Sequence, residues 1–115
     1  MRVLLKIIVG TVAVFVAANV LPGVKIEGLL TALVVSVVLA VVNAVVKPIL
    51  VILTLPVTIL SLGLFLLVIN ALMVELAAWL VPGFFVAGFW WALLFSLVVS
   101  LVSSILEGLA AVGGK

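Results

Sequence analysis

The chain has 115 residues, 70% hydrophobic and 7% charged, with five basic and three acidic side chains, a net charge of +2 and a mean hydropathy of +1.87. Charged residues alone make up about a quarter of a typical soluble domain, so this chain cannot cover itself with polar groups, and the solvent for most of its surface is lipid. It contains no His, Cys, Asp or Tyr and its only carboxylates are Glu27, Glu75 and Glu107, which excludes a Ser/His triad, a thiolate nucleophile and a His- or Cys-ligated metal. Neither enzyme chemistry nor a cofactor is expected, and the small, scattered charge argues against nucleic-acid binding.

The first apolar run begins after Arg2 and Lys6 and stops at Pro22-Gly23. It reads as a transmembrane helix; a secretory signal peptide is the competing reading, because a basic start, an apolar middle and the small pair Ala17-Ala18 fit that pattern too. Leu29 to Val46 is the second span, ending at Lys47-Pro48. At about 1.5 Å per residue it nearly crosses a ~30 Å hydrocarbon core. The next apolar stretch, Ile49 to Val81, is too long for one span and barely long enough for two with a turn. Pro56 and Gly63 are the residues that can break it. Pro48 to Ser61 is therefore expected to dip into the membrane or lie along its surface, with a third span from about Gly63 to Val81. The fourth runs from about Phe89 to Leu106, followed by Glu107 and a frayed Gly-rich tail ending in Lys115. Trp79, Trp90 and Trp91 bracket the second Pro-Gly loop, where an interfacial aromatic belt belongs.

An offset of sixty residues lays Ile8–Val45 over Val68–Ile105 without a gap, giving eleven identities in thirty-eight positions. Pro22, Gly23 and Gly28 meet Pro82, Gly83 and Gly88, an agreement that apolar composition alone would not produce. The expected fold is an all-α integral membrane protein forming one domain. Its four transmembrane helices form two duplicated helical hairpins, at about 3–46 and 63–107, joined by a Pro-broken connector at about 47–62 and followed by a tail at 108–115. A retained first span agrees with the repeat. If the connector stays on one side, the hairpins are parallel repeats; if it crosses, they are inverted. With the connector on one side, Arg2, Lys6, Lys47 and Lys115 share a face and Lys25 stands alone on the other. That asymmetry places both termini in the cytoplasm.

Ala32, Ser36, Ala40, Asn43 and Lys47 recur at helical spacing on the second span, and Ala92, Ser96, Ser100, Ser103 and Glu107 match them on the fourth, so each set shares one helix face. One reading is close packing through small residues; the other is a weakly polar face lining a water-filled path in an oligomer. Lys47 and Glu107 occupy equivalent repeat positions with opposite charge and are expected either to pair or to act as independent interfacial charges. Glu75 lies inside the third span, about 9 Å from its end. Its carboxylate is either an ion-path group or, at that depth, an interfacial one. Asn19, Asn43 and Asn70 are amides suited to hydrogen bonds between helices.

Asn43-Ala44 with Lys47-Pro48, Thr54-Leu55-Pro56, Leu62-Gly63, Asn70-Ala71-Leu72 and Val81-Pro82-Gly83-Phe84 together resemble the hallmark region of phage holin family 4, the four-span superfamily also described as mycobacterial-type holins. The similarity extends from Arg2 to Ala92, although Glu75 stands where the family pattern suggests an apolar residue. The resemblance implies a small bacterial inner-membrane protein that oligomerises and permeabilises the bilayer, with no catalytic residues to transfer. A structural protein organising lipid or a partner without conducting is the alternative, and an ion-coupled carrier using Glu75 is the third reading.

Overall fold

Two Pro-Gly pairs and one Thr-Leu-Pro triplet decide where these apolar runs must stop being helical. The computed structural model describes residues 2–113. Five helices, α1 (Arg2–Val20), α2 (Leu29–Leu53), α3 (Leu55–Leu60), α4 (Phe65–Leu80) and α5 (Phe89–Gly113), are joined by two short strands, β1 (Val24–Ile26) and β2 (Phe84–Val86). α1, α2 and α5 are long and apolar enough to cross a membrane, whereas α4, with 16 residues, is a shorter apolar helix. Turns of 3₁₀ type, Leu64 N–H to Ser61 and Leu67 N–H to Leu64, extend the α4 rod backwards by about one turn.

Three boundaries differ from the sequence reading. α2 does not end at Lys47-Pro48 but runs through Pro48 to Leu53. A proline inside a helix forfeits one backbone bond, but ending the helix there would leave four carbonyls unpaired in or near hydrocarbon. The break comes instead at Thr54, whose hydroxyl and backbone N–H both donate to the Leu50 carbonyl at 2.7 and 3.0 Å, and Pro56 opens the first turn of α3. At the C-terminal end α5 continues to Gly113, so 108–113 is helical. Leu109, Ala110 and Ala111 are good helix formers that outweigh Gly108. Lys115 lies outside the described residues.

The third difference is a strand pair. β1 and β2 run antiparallel, with Val24 opposite Val86, Lys25 opposite Phe85 and Ile26 opposite Phe84. Loop backbone at a membrane surface needs partners for its N–H and C=O groups, and each loop supplies the other's. The flanking bonds come in matched pairs: Glu27 N–H to Gly83 C=O with Ala87 N–H to Gly23 C=O, and Val24 N–H to Leu21 C=O with Phe84 N–H to Val81 C=O. Both Pro-Gly loops therefore sit at one end of the bundle. α1 and α4 run toward that end, and α2 and α5 run away from it.

α1 and α4 each pack against both α2 and α5. The core fills the loop half of the bundle, where Val14, Ala17, Val35, Val74, Ala77, Ala92 and Phe95 are buried and the Phe84 and Phe95 rings lie 5.3 Å apart. Small residues let the backbones approach closely there. A β-carbon on Gly10 would collide with the Ser36 hydroxyl, and one on Gly23 with the Trp91 ring.

Candidate functional site

Beyond the core, toward the connector and the chain termini, the bundle opens along the α2–α5 diagonal. The two stripes go from buried to exposed over their first three members, after which Lys47 and Ser103 are again half-buried. Ala32 and Ala92 are fully buried, Ser36 is 8% exposed, Ser96 is half-buried, and Ala40, Asn43 and Ser100 are exposed. The helices are closed by the strand pair at one end and held by no comparable clasp at the other, so polar side chains gather where packing ends.

Two hollows flank the diagonal, and Leu39, Asn43 and Val99 border both. The larger, about 580 Å³, lies between α1, α2 and α5 and brings Ser36, Ala40 and Asn43 together with Ser103, Glu107, Gly10 and Lys6. The smaller, about 160 Å³, lies between α2, α4 and α5 and joins Asn43 and Lys47 to Asn70, Ser96 and Ser100. Positions sixty apart occupy corresponding places: Gly10 in one hollow faces the role of Asn70 in the other, and Ala40 that of Ser100. Smaller side chains on the α1 side account for the larger volume.

Ser36, Ala40, Asn43, Ser96, Ser100 and Ser103 are thus brought to one cleft. Lys47 and Glu107 are not brought together. Lys47 turns into the α4-side hollow while Glu107 shares the α1-side hollow with Lys6, and no salt bridge joins Lys47 to Glu107 among the described residues. Because α2 and α5 run the same way, matching turns face opposite sides of the diagonal. Within the cleft the hydroxyls turn partly inward: Ser96 donates to the Leu93 carbonyl at 2.8 Å, and Ser36 reaches the Ile7 carbonyl at 3.4 Å, where Thr11 already donates at 2.7 Å. Asn43, Lys47, Asn70 and Ser100 make no side-chain hydrogen bond among the described residues. Asn19 donates to the Phe15 carbonyl of its own helix and not to a neighbour.

Glu75 lines neither hollow. It is half-buried on α4, with Oε1 enclosed and lacking a hydrogen-bond partner. The turn residues lie where chain reversal needs them: Pro22, Gly23 and Gly28 around β1, Pro82, Gly83 and Gly88 around β2, Pro56 and Gly63 at either end of α3. Gly83, at φ +87°, has the Glu27 carboxyl lying against it, so a side chain there would be both strained and obstructed. Sequence reasoning did not assign Gly10, Lys6 or Asn70 to the cleft. The signal was present in the sixty-residue offset, which aligns Gly10 with Asn70 on the helix preceding each Pro-Gly loop.

An apolar four-rod bundle with a polar diagonal has a counterpart among known families. A family model described as "Mycobacterial 4 TMS phage holin, superfamily IV" matches residues 1–105. The chain belongs to that family. Among its relatives, an uncharacterised protein of Streptomyces coelicolor is 46% identical over 81 residues, covering 67% of this chain and 65% of the relative. The uncharacterised membrane protein YvlD of Bacillus subtilis is 32% identical over 103 residues, covering 89% of this chain and 87% of YvlD. No solved structure matches. This holin-family chain is accordingly a membrane protein associated with the lipid bilayer, and its relatives carry no assigned activity.

Proposed function

We propose that this holin-family protein assembles in the bacterial cytoplasmic membrane into oligomers that permeabilise the bilayer, with the α2–α5 cleft lining or assembling the path. The observation that carries the reading is the cleft itself. Asn43, Ser100 and Glu107 are exposed on the single chain, yet polar groups on a spanning helix are retained where they face a neighbouring helix or a water-filled cavity. Four rods are too few to enclose a useful channel, so the polar face needs further copies of the chain around it.

The two hairpins, about 3–46 and 63–107, act in this reading as a duplicated unit. The sixty-residue offset supports it, as do the matched loop bonds and the pairing of Lys25 with Phe85. With both loops at one end, Arg2, Lys6 and Lys47 lie toward the other end, against Lys25 alone at the loops. That asymmetry supports cytoplasmic termini and a connector that stays on the cytoplasmic face.

Leakage on induced expression tests the proposal, followed with an impermeant nucleic-acid dye and a potential-sensitive dye. The parent is compared with Ser96→Leu/Ser100→Leu at matched membrane abundance. Both insert, since Leu is favourable in a span. Leakage from the parent that the double variant loses supports a path through the cleft. An abundant, folded parent that leaks to neither dye removes permeation and leaves a non-conducting protein that organises lipid or a partner.

A further inference from the structure

The two hollows of the cleft differ in chemistry as well as size. At three corresponding places the α4-side hollow carries the better hydrogen-bond donor: Asn70 against Gly10, Ser100 against Ala40, and Lys47 against Glu107. The smaller hollow therefore gathers an ammonium group, two amides and two hydroxyls, and no carboxylate lines it. Of these five side chains only Ser96 spends its hydroxyl on the protein, at the Leu93 carbonyl. Asn43, Lys47, Asn70 and Ser100 are left with unpaired donors facing one cavity.

A half-open group of donors with one positive charge and no carboxylate among them is matched by an anion that accepts several hydrogen bonds. A volume of about 160 Å³ falls below the range of roughly 300–1,000 Å³ usual for small-molecule pockets, so the group it takes is the size of a phosphate and not of a nucleotide or an acyl chain. Lys47 lies eighteen residues along α2 from Leu29, about 27 Å from the loop end, at the opposite surface of a ~30 Å core and so at headgroup depth. Asn43 lies one turn below it, whereas Asn70 and Ser100 line the deeper part of the hollow, roughly 15–17 Å from the loop end. Basic pockets between transmembrane helices at such a surface hold anionic headgroups.

We infer that the Lys47 end of this hollow is an anion site that binds the phosphate group of an anionic phospholipid, with Asn43, one turn below, donating to an oxygen that Lys47 neutralises. The inference concerns the same cleft as the permeation reading but uses its charge and not any passage. Lipid binding and leakage can therefore fail independently.

The test is native mass spectrometry of the full chain released from mild detergent, with phosphatidylglycerol or phosphatidylethanolamine added at equal concentration, and a parallel arm with millimolar inorganic phosphate as competitor. Phosphatidylglycerol should be retained about fivefold better than phosphatidylethanolamine, and Lys47→Gln should reduce its retention about fivefold, the effect of one basic group near an anionic surface. Lys47→Arg should keep it, Asn43→Leu should weaken it, and Lys25→Gln, which removes the same charge at the loop end, should leave it within twofold. Loss of bound lipid to inorganic phosphate would identify the site as one for free phosphate as well. Resistance to phosphate would make the lipid its ligand. Equal retention by the parent, Lys47→Gln and Asn43→Leu, all with helical circular dichroism, would overturn the inference.

Discussion

Gly10 on α1 lies so close to the Ser36 hydroxyl on α2 that no β-carbon fits between them. The obstruction is the hydroxyl alone, since Ser36 Cβ stands at ordinary contact distance, and that hydroxyl points at the Ile7 carbonyl one turn away. Close approach of this kind is how helices gain packing in lipid, where apolar side chains have no water to escape.

Gly10→Ala should therefore turn the Ser36 hydroxyl away from the Ile7 carbonyl and cost about 0.5–1.5 kcal/mol, the worth of one hydrogen bond. Gly108→Ala, at a helical glycine with open space around it, should be neutral or stabilise by about 0.5–1 kcal/mol through helix propensity. Thermal unfolding in detergent measures both. A Gly10→Ala variant as stable as the parent would show that the α1–α2 contact yields without penalty.

The strand pair makes a distance prediction that the chain's lack of cysteine makes easy to read. Bonds at the Gly23–Ala87 and Gly83–Glu27 pairs put Lys25 and Phe85 at a hydrogen-bonded position, with α-carbons about 5.5 Å apart, within disulfide reach. Both side chains are exposed. Lys25→Cys/Phe85→Cys should oxidise within one chain and become refractory to a maleimide mass tag, whereas either single variant should stay fully labelled. Continued labelling of the double variant after oxidant treatment would separate the two loops. If the loop end faces the oxidising exterior, the bond forms in cells without added oxidant.

Much of this architecture was legible in sequence because lipid imposes simple rules. Apolar length, Pro-Gly punctuation and basic residues locate helices, turns and ends, and the four-and-three spacing of Ser36, Asn43, Ser96 and Ser103 placed the polar stripes on faces that do meet in one cleft. Pro48 misled because its ring is costly in a soluble helix, yet in an apolar setting the unpaired carbonyls of an early stop cost more. Which of the two readings of Lys47 and Glu107 applies was hidden for a different reason. Equal height on two parallel helices was legible, but which side of the diagonal each turn faces depends on helix rotation, which residue spacing does not give. The strand pair was hidden because Val24–Ile26 and Phe84–Val86 are too short to show a period.

Glu75 provides a third prediction. Its Oε1 is enclosed without a partner on a helix otherwise apolar around it, and an unsatisfied buried polar atom costs about 1–3 kcal/mol. Glu75→Leu should raise stability in detergent or membrane abundance and leave any dye leakage unchanged, since the residue lines neither hollow. Glu75→Gln should fall between the two. Loss of a measurable transport or leakage activity in Glu75→Gln at normal abundance would instead return the carboxylate to a working role.

The end of α3 supplies a pair of substitutions with opposite signs. Gly63 N–H donates to the Thr58 carbonyl at 2.8 Å and Leu62 N–H to the Ile59 carbonyl at 3.1 Å, the two bonds of a Schellman motif. Such a motif wants glycine at the left-handed position before the outer bond, but Leu62 stands there at φ 58°, and Gly63 follows at φ 86°. A leucine in that conformation costs about 1–2 kcal/mol, and at 93% exposure it recovers little by packing within the chain. Leu62→Gly should therefore stabilise the connector, and Gly63→Ala should destabilise it by about 1 kcal/mol or more. Amide hydrogen exchange across residues 54–67 reads both effects locally, with slower exchange in the first variant and faster in the second. If Leu62→Gly instead accelerates exchange, the exposed Leu62 side chain anchors the connector in the bilayer, and its contact with lipid outweighs the backbone strain.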